Sequence, residues 1–159
     1  MSSSAIEPGK DYASIGPTLP AEAQKPPYGP KVAGRMAFFF GPVAGALISI
    51  VNLRRMGFPL RSKRILGWTV AATTLLATVI ILLPDAFGRI VGLGAEISFY
   101  VIYPRLQEAE FAQWQSTHPD VQTSNGWGAI GWAILGLLGF LLIAVMVGMV
   151  LGLFFPNLA

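Results

Sequence analysis

Cysteine is absent from the chain, which excludes disulfides, thiolate-held metals and cysteine nucleophiles. Histidine is nearly as scarce. His118 stands alone in "STHPD", and one imidazole builds no metal site without carboxylate partners, for which Asp120, two residues on, is badly placed. The apolar runs contain no histidine, so the side chain that commonly holds haem or bacteriochlorophyll within a membrane is missing. No cofactor of the chain's own is therefore expected. Contact with lipid, or with pigments held by partner subunits, is the most the composition allows. Charge is low as well: 12% of residues are Asp, Glu, Lys or Arg, against 53% hydrophobic. A soluble domain carries roughly twice that charge. Walker loops, nucleophile elbows, zinc signatures and dinucleotide fingerprints are all missing, and no catalytic pair stands out. Catalysis is not expected. The formal charge of +3 comes largely from one short loop, so nucleic-acid binding is not expected either.

What the chain does have is apolar length. Mean hydropathy is +0.60, and the excess apolar surface must meet lipid or protein. Two domains are read. Residues 1–31 form a proline-rich arm (Pro8, Pro17, Pro20, Pro26, Pro27, Pro30) and residues 32–159 a membrane domain. The arm lacks periodicity, and disorder is the plain reading of such composition. An extended arm held against a neighbouring subunit is the functional one. A cleavable signal is not expected at the start, since one needs a basic stretch before a short apolar core.

The expected fold is an all-α integral membrane protein with three transmembrane helices and one shorter membrane-embedded or interfacial helix. Four crossings are the alternative. The helices are placed at about 32–54, 64–84, 86–115 (the short one) and 126–155. Residues 36–53 and 65–84 are free of charge, and each approaches the roughly 20 residues that cross about 30 Å of hydrocarbon. Between them "RRMGFPLRSKR" holds Arg54, Arg55, Arg61, Lys63 and Arg64 without an acid. Short basic loops stay cytoplasmic, so loop 54–64 is expected inside, near anionic lipid phosphates, and the arm on the periplasmic side. Residues 85–126 contain five acids and two arginines and are expected outside. The last run, 126–155, is uncharged and at roughly 45 Å too long for an upright span. Trp127 and Trp132 at one end and Phe154 and Phe155 at the other resemble interfacial belts.

Two rows of small residues recur at a spacing of four: Ala33, Ala37, Gly41, Gly45 and Ser49, then Ala144, Gly148 and Gly152. Helices in lipid associate through close backbone approach, which such rows permit. Partner helices are expected to occupy them, with the chain's own helices as the alternative. Pro42 deletes an N–H and crowds the Phe38 carbonyl, so a kink is expected. Asn52, one turn past Ser49, can hydrogen-bond across the interface. In residues 85–103, Asp85, Arg89, Gly92, Glu96 and Tyr103 fall on one side at 100° per residue. Arg89 and Glu96 are candidate buried charges, or simply polar groups of an interfacial helix. Thr69, Thr73, Thr74 and Thr78 more often bond to backbone or a neighbour than line a pore.

"GPVAGALISIVNLRRMG" and "SNGWGAIGWAILGLLG" resemble a family of small bacterial inner-membrane proteins. Its marks are a Gly-Pro-x-Ala-Gly helix, an Asn-x-Arg-Arg-x-Gly turn and a Trp- and Gly-rich last helix. The elements here are Gly41, Pro42, Ala44, Gly45, Asn52, Arg54, Arg55, Gly57, Trp127 and Gly131, and the likeness covers residues 36–155. It implies a multi-pass protein of the bacterial inner membrane but no established activity. The expected function is a non-catalytic accessory subunit of an energy-transducing membrane complex, either a photosynthetic reaction centre with its light-harvesting antenna or a respiratory complex. Its partners would be other integral membrane subunits and lipid. The alternative is a small transporter or proton conductor using Glu96.

Overall fold

The computed structural model describes residues 25–155. The expected arm, Pro8, Pro17 and Pro20 included, lies outside the described residues up to residue 24. Five helices make up the rest: α1 (Pro30–Phe40), α2 (Pro42–Arg55), α3 (Pro59–Leu82), α4 (Asp85–Thr117) and α5 (Trp127–Phe154). The protein is all-α and membrane-integral. Three helices, α3, α4 and α5, are long and apolar enough to cross a membrane.

The first apolar run is not one of them. Gly41 adopts φ 86° and ψ 169°, a backbone state open to glycine because it has no Cβ. Pro42 follows at the first position of α2, where its missing N–H and preset φ suit a helix start. The Gly-Pro pair therefore makes a turn, not the kink expected in a continuous helix over 32–54. Ala37 and Gly45, four residues either side of the turn, meet: a Cβ on Gly45 would lie 2.5 Å from that of Ala37 and 2.6 Å from the Tyr103 ring. Further out, the Tyr28 N–H donates to Asn52 Oδ1 at 2.8 Å. The chain thus enters and returns as an antiparallel helical hairpin. Eleven residues of α1 rise about 16 Å, roughly half of the hydrocarbon thickness. This hairpin is the shorter membrane-embedded element, and the run placed at 86–115 is a full-length helix instead.

Antiparallel pairing sets the negative end of α1 beside the positive end of α2, so their dipoles largely cancel at the tip. Backbone that leaves a helix at membrane depth persists only where protein covers it. Phe140 of α5 packs over Gly41, and the Tyr103 hydroxyl donates to the Pro42 carbonyl at 2.8 Å. α2 touches all four other helices, with Ile48 and Leu53 wholly buried. It is the core of the bundle. Gly136 of α5 meets the Ala44 main chain so closely that a Cβ there would overlap it.

Pro104 lies inside α4, where it leaves the Tyr100 carbonyl without its helical donor. That oxygen faces Gly34 of α1, in the direction a Cβ would take. Glycine's hydrogen reaches it instead, a weak C–H···O contact.

The hairpin geometry brings residues 25–29 and loop 54–64 to the same end of the bundle, correcting the expectation that they lie on opposite sides. Residues 117–126 join them. Ser124 donates its N–H to the Pro27 carbonyl at 2.9 Å, and α5 starts beside Tyr28. Leu82, Asp85 and Phe154 mark the other end. Single cysteines introduced by Lys25→Cys and Lys63→Cys should react with a membrane-impermeant maleimide from the same face of sealed vesicles, and Asp85→Cys from the opposite face. Labelling of positions 25 and 63 from opposite faces would restore a full crossing and remove the hairpin.

Candidate functional site

The most densely bonded polar cluster lies where the hairpin opens, at the end shared by residues 26–28, the last turn of α2, α4 beyond Tyr103 and the loop before α5. Asn52 is its centre. Its Oδ1 accepts from the Tyr28 N–H, and its Nδ2 donates to the Tyr28 carbonyl at 3.1 Å and to Gln107 Oε1 at 2.9 Å. Gln107 in turn donates to the Tyr103 carbonyl at 3.3 Å. Asn52 and Gln107 are fully buried, and burial without these partners would be costly. Ser124 closes the cluster through its hydroxyl, which donates to the Pro26 carbonyl. Deeper, Tyr103 gives its single proton to Pro42, so Thr69 is the donor in the 3.1 Å contact between their hydroxyls.

Two charged groups are buried here, and neither is one of the candidates on the first half of α4. Arg55 is 9% exposed. Its Nη1 donates to the Pro26 carbonyl at 3.1 Å, and its guanidinium lies 4.6 Å from the centre of the Tyr28 ring. The negative end of α2 and the ring face together offset the cation. Arg55 is thus held inside the protein rather than extended to lipid. Glu110 is buried too and pairs with Arg61, whose Nη2 also donates to the Leu106 carbonyl at 3.0 Å. Arg54, Lys63 and Arg64 are exposed.

Arg89 is exposed and Glu96 half-buried. They do not form a buried pair, and no ion pair joins them among the described residues. With Asp85, Gly88, Gly92 and Leu93 they line an open crevice of about 560 Å³ at the opposite end. The buried acid could have been found by carrying the α4 stripe onward. At 100° per residue, Gln107, Glu110 and Trp114 continue the line of Asp85, Glu96 and Tyr103. Pro104 hides this continuity, because a proline more often ends a helix than sits within one. His118 stacks on Trp114 at 5.0 Å, and its Nδ1 lies 3.1 Å from the Trp114 carbonyl at the end of α4.

The two small-residue rows differ. Ala37, Pro42, Gly45 and Ser49 are buried within the chain, Gly41 is covered by Phe140, and Ser49 donates to the Gly45 carbonyl at 2.9 Å. The chain's own helices occupy this row, where a partner's were expected. Along α5, Ala144 is half-buried, and a Cβ at Gly148 or Gly152 would meet nothing within 4 Å. Among the described residues no three His, Asp or Glu side chains gather as a metal site would require. Chemically, the cluster is a clamp that holds both ends of the hairpin to α4 and α5.

Compared with known proteins, the chain matches no family model, no curated protein and no solved structure.

Asn52→Leu leaves the Tyr28 main chain and Gln107 without partners, and should cost about 2–4 kcal/mol in denaturant titrations in detergent. Tyr103→Phe should cost about 1 kcal/mol. An Asn52→Leu loss no larger than that of the exposed control Thr74→Val would show that the clamp does not hold the hairpin.

Proposed function

We propose that this chain is a non-catalytic structural subunit of a larger assembly in the bacterial inner membrane, with other integral membrane subunits docked along the far half of α5. One observation carries the reading. The row Ala144, Gly148 and Gly152 has the spacing that admits a neighbouring helix, yet the chain's own helices leave Gly148 and Gly152 open. The other row of the same kind, Ala37 to Ser49, is filled from within, so this protein uses such rows for close helix contact. Around it α5 offers Leu141, Val145, Met149 and Leu153 as exposed apolar surface. Asn52, Gln107 and Tyr103, buried in the other half of the bundle, are engaged in holding the hairpin, which favours a scaffold over an active site.

The clamp end carries Lys25, Lys31, Arg54, Arg61, Lys63 and Arg64, which favours a cytoplasmic position for that end. Residues 25–29 would then be cytoplasmic as well. We extend the proposal to energy-transducing assemblies, photosynthetic or respiratory, with any pigments held by the partners.

Gly148→Leu should leave the thermal stability of the isolated protein unchanged and release partner subunits in mild detergent. Gly136→Leu should unfold the isolated protein, because it collides with Ala44. A Gly148→Leu protein that purifies with the same companions in the same amounts would remove the docking role of α5.

Conduction through Glu96 is the competing reading, favoured by its place on one crevice wall with Asp85 and Arg89. Further along the same α4 stripe, Tyr103 and Gln107 are engaged in hydrogen bonds to the hairpin and to α4 itself. Glu96→Gln should accordingly leave proton flux in vesicles of the purified protein at the wild-type level. A flux abolished by that substitution would favour conduction.

A further inference from the structure

We propose that the crevice between the start of α3 and Leu106 of α4 binds an anionic phospholipid, taking its phosphate and the upper part of one acyl chain. The crevice encloses about 610 Å³, and Arg61, Arg64, Ile65, Trp68, Thr69 and Leu106 line it. Arg61, Arg64 and Trp68 stand three and four residues apart, so one face of α3 presents two guanidinium groups followed by a large ring. The order matches an amphipathic ligand. The cations lie nearest the clamp end, where Arg61 reaches Leu106 and Glu110. Trp68 follows one turn beyond Arg64 and is 73% exposed, in the manner of indoles that sit at the headgroup boundary. Ile65 is buried beneath them as an apolar floor.

Charge selects the head. Glu110 neutralises Arg61, so Arg64 supplies the cation for a phosphate, and among the described residues it makes no hydrogen bond or ion pair. The fork of N–H groups on arginine suits a phosphodiester, and its apolar stem can follow the chain side of the crevice. The first-turn N–H groups of α3 add positive potential at the same end. Arg54, exposed at the end of α2, would oppose the choline of a zwitterionic lipid while favouring a net negative head. A second cavity of about 410 Å³ between α3 and α5 is lined by Val70, Thr74, Ile143, Met146 and Val150 among others. It offers no cation and therefore no such selection. The inference is independent of the docking role of α5.

The test is native mass spectrometry of the full chain in mild detergent, titrated with phosphatidylglycerol, with phosphatidylcholine of the same chains, or with soluble glycerol 3-phosphate. Phosphatidylglycerol should bind in preference to phosphatidylcholine, and Arg64→Gln should weaken its binding about fivefold, the share of one cation at a membrane surface. Lys63→Gln, next to the crevice but not lining it, should leave binding unchanged. As a second measurement, phosphatidylglycerol with brominated chains should quench the wild type more than Trp68→Phe. Equal losses in Arg64→Gln and Lys63→Gln would reduce the effect to diffuse charge and overturn the site. So would equal binding of the two lipids, displacement by glycerol 3-phosphate, or quenching that Trp68→Phe leaves intact.

Discussion

An interrupted helix inside a membrane exposes main-chain groups that lipid cannot satisfy, and the arrangement of this protein follows from covering one such interruption. α1 rises about 16 Å to the turn at Gly41, roughly half of the hydrocarbon thickness. Tyr103 reaches its Pro42 carbonyl from α4, Phe140 shields Gly41 from α5, and Thr69 of α3 completes the hydroxyl pair. Each long helix therefore contributes one group to the tip. The hairpin is consequently central, and α2 is buried on all sides although it is among the shortest helices. A helix so enclosed needs no polar face, which is why its sequence reads like a span.

The same constraint acts at the open end of the hairpin. Two helices that return to one surface must be held together there, since in lipid apolar burial supplies little force between them. Asn52 does this with one amide, bonding both main-chain groups of Tyr28 and the side chain of Gln107. Arg55 follows one turn later, its charge balanced by a carbonyl, a ring and a helix end rather than by an acid. Asn52, Gln107, Tyr28 and Arg55 are thus tied into one cluster with residues 26–28. Their identities describe how the hairpin is fastened.

The two halves of the bundle differ as a result. Toward the clamp, five helices share the cross-section. Beyond the hairpin tip only α3, α4 and α5 continue, so their inner faces lose the cover that a full first helix would have supplied. Open glycines on α5 and a polar-walled crevice on α4 occur in that thinner half. The basic crevice lined by Arg61 and Arg64 lies instead on the crowded side.

Composition and spacing determined the class of this molecule. Long uncharged runs with few charges anywhere require helices in a membrane, whatever their packing. The four-residue rows specified which faces come close, and Gly41, Gly45 and Asn52 were legible as packing residues because only small or amide side chains serve there. Periodicity also placed Asp85, Arg89 and Glu96 on one line, though Pro104 concealed its extension to Gln107 and Glu110. Tertiary structure alone decided that residues 36–53 turn back instead of crossing. A Gly-Pro pair is compatible with either a kink or a reversal, and local energies do not separate them. The choice rests on partners distant in sequence: a hydroxyl from residue 103, a ring from residue 140 and the pairing of Asn52 with Tyr28. With that choice came the side on which each end lies, which row is filled from within, and which charges are buried.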